Sequence, residues 1–439
     1  MIKYVVFIIL AIVFCRCIYT TNKHNRGVGI FTGVLFSFLV YYCIIPFFIL
    51  LSYSEIDEKT SFITTVYESS FESYLLFFIC ALFLLLSMTI SYRKSLLKYS
   101  SYIVSSARAK KYSSSFFYVS FIVGTLAFAI YISSFGGFVN ALVTAEYIRS
   151  FDNATTDVIP YRAALMQLPS ALVTASPLFY AVRTERIGVW RIKNIVFLIV
   201  LFLISVSYLL INAGKTGIIL FILPIWLVFI SYKTKHEWFC TILCCVLGVS
   251  LINVLDLLFL SFTNESVMLT DDALKADYSL LHQFAYPISN ALNMHDILQS
   301  SNLRLFKDFI TGFLTHVPGL NFEVSYVPTS AFYGGSNWRE SGGVPNDIMT
   351  FGYLQLGPFG IVIVGYVWGY ILGIIEQFLK KCTNSFADRF IKYSIVVTTF
   401  NAIMNADVVA LVVNFKFSLV VLFICMAHYR LRPKSTSTI

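Results

Sequence analysis

Several short polar stretches hold most of the side chains that could do chemistry in a chain dominated by Phe, Leu, Ile and Val. One of them, "NAGKTG" at 212–217, places Lys215 beside glycines that let a ligand approach the backbone closely. Another, "SNWRESGG", places Arg339 next to Trp338, so that a phosphate-binding guanidinium neighbours a ring able to stack on a sugar. The two cations predict a site for an anionic ligand.

Three further arginines extend this candidate anion-binding set: Arg149, Arg162 and Arg304. Arginine binds phosphate oxygens in a bidentate geometry, and Arg162 opens a predicted membrane span, at the level where a lipid phosphate lies. Plainer explanations stay open, because Arg304 suits a helix surface and Lys215 suits the end of a span. Arg149 and Arg162 also have acidic neighbours in Glu146, Asp152 and Asp157.

The candidates for a general base are His316 in "THVPG", Glu323 and Asp347. A histidine accepts a proton near neutral pH, and a positioned carboxylate can take one from a hydroxyl group. Asp347 stands directly before a long apolar segment, within "GGVPNDIMTFGYLQLGPFG" at 342–360. A purely structural role stays open for each of them, and for the further candidates His282, His295 and Glu340.

The composition excludes an ordinary soluble protein. Of the 439 residues, 58% are hydrophobic, 17% are aromatic and only 13% are charged. Several apolar runs approach or exceed the ~20 residues that a bilayer-spanning helix needs, and a backbone within lipid must satisfy its own hydrogen bonds. We therefore predict an all-α polytopic integral membrane protein with about 11 transmembrane helices, in a range of about 10 to 12.

The predicted spans lie near residues 4–20, 28–51, 71–91, 116–134, 161–182, 194–212, 216–232, 238–260, 351–378, 386–405 and 408–429. The last two are close together, and the tip of their hairpin is predicted to fall between 401 and 416. Asn401 and Asn405 are predicted to share one helix face there, with Asp407 nearby. Either a function or hydrogen bonding between helices explains these polar residues.

Charge alternates along the predicted loops. Loops 92–112 and 183–193 are strongly basic, whereas loop 52–70 is mainly acidic. Because cytoplasmic loops carry an excess of Lys and Arg, we place the N-terminus outside and the C-terminus inside. The net charge of +9 is then mostly a topology signal, and no nucleic-acid partner is expected. In this topology ten of the 32 Lys and Arg residues lie outside: Lys3, Lys59, Arg149, Arg162, Lys215, Lys275, Arg304, Lys307, Arg339 and Lys416. An anionic ligand on the outer side would explain why these basic residues are present there.

Two long outer loops are predicted, at about 135–160 and 261–350. The second separates an N-terminal bundle, residues 1–260, from C-terminal membrane helices, residues 351–439. A connection of this length is usually functional or disordered, and the many aromatic residues in this one argue against disorder. We therefore expect the second loop to form part of a site.

Helices are predicted inside the second loop. Segment 272–298 is predicted to be mainly helical, and "LRLFKDFITGFLT" at 303–315 spaces Leu305, Phe309 and Phe313 as the apolar face of an amphipathic helix. The Gly- and Pro-rich stretch 342–360 is predicted to be irregular backbone that lines a cavity at the outer face. Its glycines Gly352, Gly357 and Gly360 would then let the ninth span approach a neighbour or a lipid closely.

This layout resembles a known family. Four features carry the resemblance: the many spans, the large outer loop in the C-terminal half, the glycine-rich "FGYLQLGPFG" that re-enters the membrane and the short hairpin "NAGKTG". In these features the chain is similar to the Wzy-type O-antigen polymerases, which join oligosaccharide repeat units. That family is related in plan to the O-antigen ligases and to the GT-C-like membrane glycosyltransferases. The resemblance covers the whole chain in layout, and its sharp motifs cover about thirty residues.

The resemblance implies a bacterial inner-membrane enzyme whose active site faces the periplasm. Its donor and acceptor would both be oligosaccharides linked to undecaprenyl pyrophosphate, and the growing chain would be transferred onto a new lipid-linked unit. No cofactor and no metal are implied. A chain-length regulator and a flippase are implied as further partners.

Two alternatives stay open beside the polymerase. A flippase or transporter for the same lipid-linked sugars would favour short loops and charged residues along its inner spans, whereas this chain has a long outer loop and few charges at mid-span. A ligase that transfers finished chains would share most of the layout. A membrane acyltransferase is disfavoured because His24, His236 and His428, near the predicted cytoplasmic side, stand in no catalytic motif.

Overall fold

The computed structural model describes residues 2–23, 29–54, 56, 60–99, 102–104, 109–151, 160–187, 191–211, 215–233, 276–314, 326–334, 344–380, 386–408 and 431–433. Within these ranges the regular structure is helical, apart from one short antiparallel pair of strands. The structure is therefore consistent with the predicted all-α membrane protein.

The first elements are α1 (Ile2–Lys23), α2 (Ile30–Leu39), a π-helical turn (Val40–Ile44), α3 (Ile45–Ser52), α4 (Ser61–Glu68), α5 (Phe71–Tyr99) and β1 (Tyr102–Val104). They are followed by α6 (Ala109–Ser133), α7 (Phe138–Phe151), α8 (Tyr161–Ser170), a 3-10 turn (Ala171–Ala175), α9 (Ser176–Ile187), α10 (Ile192–Ile211) and α11 (Lys215–Lys233). The remaining described elements are α12 (Ala276–Gln299), α13 (Lys307–Leu314), α14 (Tyr326–Gly334), α15 (Ile348–Leu356), α16 (Pro358–Lys380), α17 (Phe386–Ala402) and β2 (Leu431–Pro433).

Six helical runs in the described part of the chain are long and apolar enough to cross a bilayer: Lys3–Thr21, Ile30–Ser52, Phe71–Lys98, Ser115–Ser133, Ile192–Ile211 and Pro358–Gln377. Each overlaps a predicted span. The predicted spans 238–260 and 408–429 lie outside the described residues, apart from Val408. The count of eleven therefore stays a prediction.

Two predicted spans are interrupted. The span predicted at 161–182 consists of α8, the 3-10 turn and α9, because Pro169 and Pro177 have no N–H to donate to the helical ladder. The span predicted at 351–378 begins only at Pro358. Gly357 adopts φ 60° and ends α15, so the chain changes direction before α16.

We predicted irregular backbone throughout 342–360, and this prediction is wrong for most of the stretch. Residues 348–356 are helical, and only 344–347 and Gly357 are irregular among its described residues. The close approach expected of its glycines occurs within the stretch itself. A Cβ on Gly360 would lie 2.0 Å from the Gly352 carbonyl oxygen, so the end of α15 packs directly on the start of α16.

The amphipathic helix predicted at 303–315 is shorter than expected. It spans Lys307–Leu314, and Leu305 and Phe306 before it adopt positive φ angles of 51° and 59°. Leu305 therefore does not continue the apolar face, while Phe309 does, because its ring packs on Phe351 with centroids 5.3 Å apart.

The chain divides into two compact units, each built from separate stretches. Unit 1 comprises Met1–Lys98, Ser266–Glu376 and Thr399–Val413, and unit 2 comprises Tyr99–Glu265, Gln377–Thr398 and Asn414–Ile439. In unit 2, α6 packs on α8 and α9, and β1 pairs with β2. In unit 1, α12 packs on α3, α4 and α15, so part of the predicted outer loop belongs to the core of this unit.

A stripe of small residues joins two helices of unit 1. Three glycines of α16 face three serines of α5 along matching turns: Gly365, Gly369 and Gly373 against Ser87, Ser91 and Ser95. A Cβ on Gly369 would lie 2.2 Å from the Met88 carbonyl oxygen, so the two backbones approach as closely as glycine permits. This packing holds α16, which directly follows α15.

Candidate functional site

The N-terminus of α15 is capped by a buried carboxylate. Asp347 Oδ2 accepts hydrogen bonds from the backbone N–H groups of Met349 at 3.0 Å and Thr350 at 3.3 Å. These bonds satisfy two donors of the first turn, which explains why the helix begins at Ile348. Asp347 is 0% exposed, so the cap lies wholly inside unit 1.

A tyrosine from the second candidate span meets this carboxylate. The Tyr42 hydroxyl donates a hydrogen bond to Asp347 Oδ2. The Tyr42 ring is fully buried, with its centroid 5.5 Å from that of Phe38 and 5.6 Å from that of Phe77. Tyr42 stands ten residues before Ser52, which is about 15 Å along the helix axis. The contact therefore lies well inside the span.

The π-helical turn at Val40–Ile44 sets the direction of this tyrosine. Pro46 cannot donate a hydrogen bond to the Tyr42 carbonyl, and its ring would clash with that carbonyl in a regular helix. The chain responds with a wider turn, in which the Ile45 N–H bonds to the Val40 carbonyl. Such turns are frequent at functional sites because they rotate one side chain out of the helical register.

Polar side chains of α12 and α14 hold the segment before Asp347. Asn290 Nδ2 donates to the Pro345 carbonyl at 3.0 Å, and the Thr329 hydroxyl donates to Asn346 Oδ1. All of these side chains except that of Pro345 are 0% exposed. A buried network of this kind fixes one conformation of the segment, since a broken bond would leave a polar group without water.

Two more tyrosines, both half-buried, lie near the carboxylate. Tyr333 OH lies 2.8 Å from Ser289 Oγ and accepts a hydrogen bond from Asn293 at 3.3 Å. Tyr286 OH lies 3.0 Å from Asn405 Oδ1, to which it donates. Like Tyr42, both are close enough to interact with a charge on Asp347. We call Asp347, Tyr42, Tyr286, Asn290, Tyr333, Asn346 and Thr350 the Asp347 cluster.

The turn after α17 closes this cluster. The Ile348 N–H donates to the Ile403 carbonyl at 3.0 Å, and the Ala406 N–H donates to the Asn346 carbonyl at 2.8 Å. We predicted Asn401 and Asn405 on one helix face, but α17 ends at Ala402. Asn405 therefore lies in the turn, where its amide oxygen meets Tyr286.

Three buried oxygens of the cluster make no well-formed hydrogen bond within the described part of the chain: Asp347 Oδ1, Thr350 Oγ1 and Asn290 Oδ1. The Thr350 hydroxyl nevertheless lies near enough to Asp347 to stabilise its negative charge. Burial raises the pKa of the Asp347 carboxyl above its ordinary value, and the hydrogen bonds that it accepts only partly oppose this shift. A buried carboxyl with one unused oxygen can take up a proton from a ligand hydroxyl. No metal-binding group of three or more His, Cys, Asp or Glu residues occurs among the described residues.

Arg304 belongs to a second buried group, at the other end of α15. Its guanidinium pairs with Asp308, with Nη2 2.8 Å from Oδ1, and Arg304 is 4% exposed. Gln355 Nε2 donates to Asp308 Oδ2 at 2.9 Å, and Gln355 Oε1 accepts from the Phe306 N–H at 2.8 Å. The pair therefore anchors the turn before α13 to the end of α15.

We expect Asp308→Ala to lower the free energy of unfolding by about 3 kcal/mol, because it removes the carboxylate that pairs with the buried Arg304 guanidinium. The measurement is the thermal unfolding midpoint of the purified protein in detergent. Asp296→Ala is the matched control, since Asp296 is an exposed carboxylate of α12 and its loss should change the midpoint little. Equal midpoints for the two variants would contradict the assigned anchoring contact.

The other predicted site residues are distributed as follows. Lys215 is the first residue of α11, Arg149 lies in α7, and Arg162 is an exposed residue of α8; all three belong to unit 2. His316, Glu323, Trp338 and Arg339 lie outside the described residues. Two residues of the predicted site, Asp347 and Arg304, lie at opposite ends of α15. Their roles in binding or catalysis stay predictions.

Sequence reasoning missed most partners of Asp347. Tyr42 could have been found from Pro46, since a proline inside a predicted span marks a local break in the helix. Asn290 had no local signal, because it comes from a segment far from Asp347 in the chain. Comparison with protein-family models, with curated proteins and with solved structures finds no match for this chain.

Proposed function

We propose that this membrane protein is a glycosyltransferase that polymerises oligosaccharide repeat units linked to undecaprenyl pyrophosphate. The reaction takes place at the outer, periplasmic face of a bacterial inner membrane, and the product is an O-antigen or a similar surface polysaccharide. The helical membrane architecture, the sequence resemblance and the Asp347 cluster support the proposal. A chain-length regulator and a flippase are the proposed partners.

In the proposed reaction, a hydroxyl oxygen of the acceptor sugar attacks the anomeric carbon of the donor. The bond between that carbon and the pyrophosphate oxygen breaks, and undecaprenyl pyrophosphate leaves with the electron pair. The acceptor hydroxyl proton passes to Asp347 Oδ1. Lys215, Arg149 and Arg162 stay predicted binding residues for a pyrophosphate group.

The unpartnered oxygen of Asp347 carries this proposal. A buried acceptor without a donor costs about 1 to 3 kcal/mol, so such atoms are kept where a ligand uses them. The Tyr42 hydroxyl and two backbone N–H groups all bind Oδ2, which holds the carboxylate in place and leaves Oδ1 for the substrate. His316 and Glu323 stay candidates for the same role.

A flippase or other transporter of lipid-linked sugars is the second candidate. It is favoured by the depth of the Tyr42–Asp347 contact, because an ionisable group facing the interior of a span often belongs to a proton or substrate pathway. In that case Asp347 would change protonation during transport rather than during glycosyl transfer. A ligase for finished chains would use the same groups as the polymerase.

The test uses a bacterial strain that lacks this gene and makes full-length lipopolysaccharide only when the gene is restored. Lipopolysaccharide is compared on gels for the deletion, the wild type and Lys215→Ala, with expression checked. Lys98→Ala is the control, because Lys98 is an exposed lysine at the predicted cytoplasmic end of α5. The polymerase proposal expects core with a single repeat unit in the deletion and Lys215→Ala lanes, and long chains in the Lys98→Ala lane.

Two other outcomes would replace the proposal. Loss of all surface repeat units, with lipid-linked units accumulating inside the cell, would identify a flippase. Long chains that remain on undecaprenyl pyrophosphate without reaching the lipid A core would identify a ligase.

A further inference from the structure

Unit 2 contains an apolar cavity of about 210 Å³. Side chains of α9, α10, α11 and α17 line it, among them Leu178, Phe202, Phe221 and Phe390. A cavity of roughly 150 Å³ suffices for benzene, so this one has room for about eight carbon atoms of an apolar chain. Water has no polar partner in such a lining, and an apolar occupant is therefore favoured.

The cavity borders a face that is suited to lipid. Ile199, on the cavity wall, is 53% exposed, and α10 is one of the helices long and apolar enough to cross a bilayer. The exposed face of α10 continues with Val196 and Val200. An apolar chain in the bilayer can thus reach the cavity past Ile199 without crossing a polar surface.

Two of the helices that line the cavity, α10 and α17, have basic residues near their N-termini. Lys193 is exposed in the first turn of α10, five residues before Leu198, and Arg389 and Lys392 flank Phe390 in α17. Segments 183–193 and 386–393 contain Arg183, Arg186, Arg191, Lys193, Arg389 and Lys392 against only Glu185 and Asp388. This charge is complementary to the phosphate of a lipid whose chain enters the cavity.

We propose that unit 2 holds one acyl chain of an anionic phospholipid in this cavity, with the lipid phosphate at the basic helix ends. The site is separate from the Asp347 cluster and does not depend on the proposed enzymatic function. Burial of hydrocarbon stabilises the bound acyl chain, and the basic helix ends favour an anionic headgroup.

The test is photo-crosslinking of the full-length protein in nanodiscs. The probe is phosphatidylglycerol with a diazirine near the end of one acyl chain, and labelled peptides are identified by mass spectrometry. We expect labelling in α9, α10, α11 and α17, and we expect unlabelled phosphatidylglycerol to compete about tenfold better than phosphatidylcholine.

Two tryptophan variants separate the cavity from the general lipid surface. Ile199→Trp closes the cavity wall, whereas Val196→Trp adds the same ring one turn earlier on α10, at a residue that is equally exposed and does not line the cavity. Ile199→Trp is expected to lower labelling about tenfold, the effect of excluding roughly two methylene groups, and Val196→Trp to leave it unchanged. Equal labelling of the two variants would overturn the site.

The charge requirement has its own control. The double variant Arg191→Gln/Lys193→Gln should abolish the preference for phosphatidylglycerol, while Lys94→Gln/Lys98→Gln, at exposed lysines of unit 1, should keep it. Equal competition by phosphatidylcholine in the wild type would overturn the anionic headgroup. Stronger competition by undecaprenyl phosphate than by phosphatidylglycerol would overturn the acyl occupant in favour of an isoprenoid chain.

Discussion

An Asp347→Asn variant is expected to fold at least as stably as the wild type and to lose polymerisation. Asparagine is as good an N-cap as aspartate, and its amide oxygen can still accept the bonds from Tyr42 and from the first turn of α15. It cannot take a proton from the acceptor hydroxyl. Loss of a positioned base costs a rate factor of about 100 or more, so surface chains should shorten to a single repeat unit.

The pH dependence of stability tests the same residue. Burial raises the pKa of the folded Asp347 carboxyl above the ordinary value of 3.8, so the folded state holds its proton to higher pH than the unfolded state does. Stability is therefore lost as pH rises from the ordinary value through the raised one. Asparagine removes that loss, so the unfolding midpoint of Asp347→Asn should exceed that of the wild type at neutral pH and converge with it in acid.

The measurement is a pair of readouts on one set of variants: lipopolysaccharide length on gels and the unfolding midpoint in detergent. Asp347→Ala serves as the comparison, because it removes the cap and leaves the Tyr42 hydroxyl without its acceptor, at a cost of about 1 kcal/mol or more. Long chains made by Asp347→Asn would contradict the proposed base. A midpoint for Asp347→Asn that falls as far as that of Asp347→Ala would contradict the assigned burial effect.

A Gly369→Leu variant is expected to lose about 3 kcal/mol of stability, because any side chain there collides with the backbone of α5. The first added carbon would lie 2.2 Å from both the Met88 carbonyl oxygen and Ser91 Oγ. Val367→Leu is the control on the same helix, since Val367 is 44% exposed. The unfolding midpoint in detergent should fall strongly for Gly369→Leu and little for Val367→Leu.

A rescue experiment distinguishes close packing from a general intolerance of α16 to substitution. At Gly365 the nearest obstacle to a Cβ is Ser87 Oγ, at 2.4 Å, so Ser87→Gly should restore much of the stability lost by Gly365→Ala. At Gly369 the Met88 carbonyl remains, so Ser91→Gly should not rescue Gly369→Ala. Rescue at both positions, or at neither, would contradict the geometry of the stripe.

Several features could be predicted from the sequence because they depend on local properties. Apolar runs of sufficient length predicted all six candidate spans that the described residues contain. The helix predicted at 272–298 corresponds closely to α12, since its pattern is local. The position of Asp347 directly before an apolar segment was also visible, although its function as an N-cap was not anticipated.

Other features depended on contacts between distant segments. Asp347 meets Tyr42 across 305 positions of sequence, and Asn290 reaches Pro345 across 55. No period or motif encodes such a meeting, because it results from how helices pack after they form. The partner of Arg304 is local, because Asp308 stands four residues later, but the contact of this pair with Gln355 of α15 depended on tertiary packing.

The sequence by itself determined that the described part of this protein is helical, that it is suited to a membrane and where its six candidate spans lie, because hydrophobicity and backbone hydrogen bonding in lipid leave few other structures. The tertiary structure decided which polar groups share a buried site. Gly357 changes the direction of the chain between α15 and α16, and Pro46 accompanies the π-helical turn that orients Tyr42. Only the packing of α12, α14 and α15 brings their polar side chains around one carboxylate. The cost of burying an unpaired polar group then favours the arrangement in which most polar atoms of the cluster find partners.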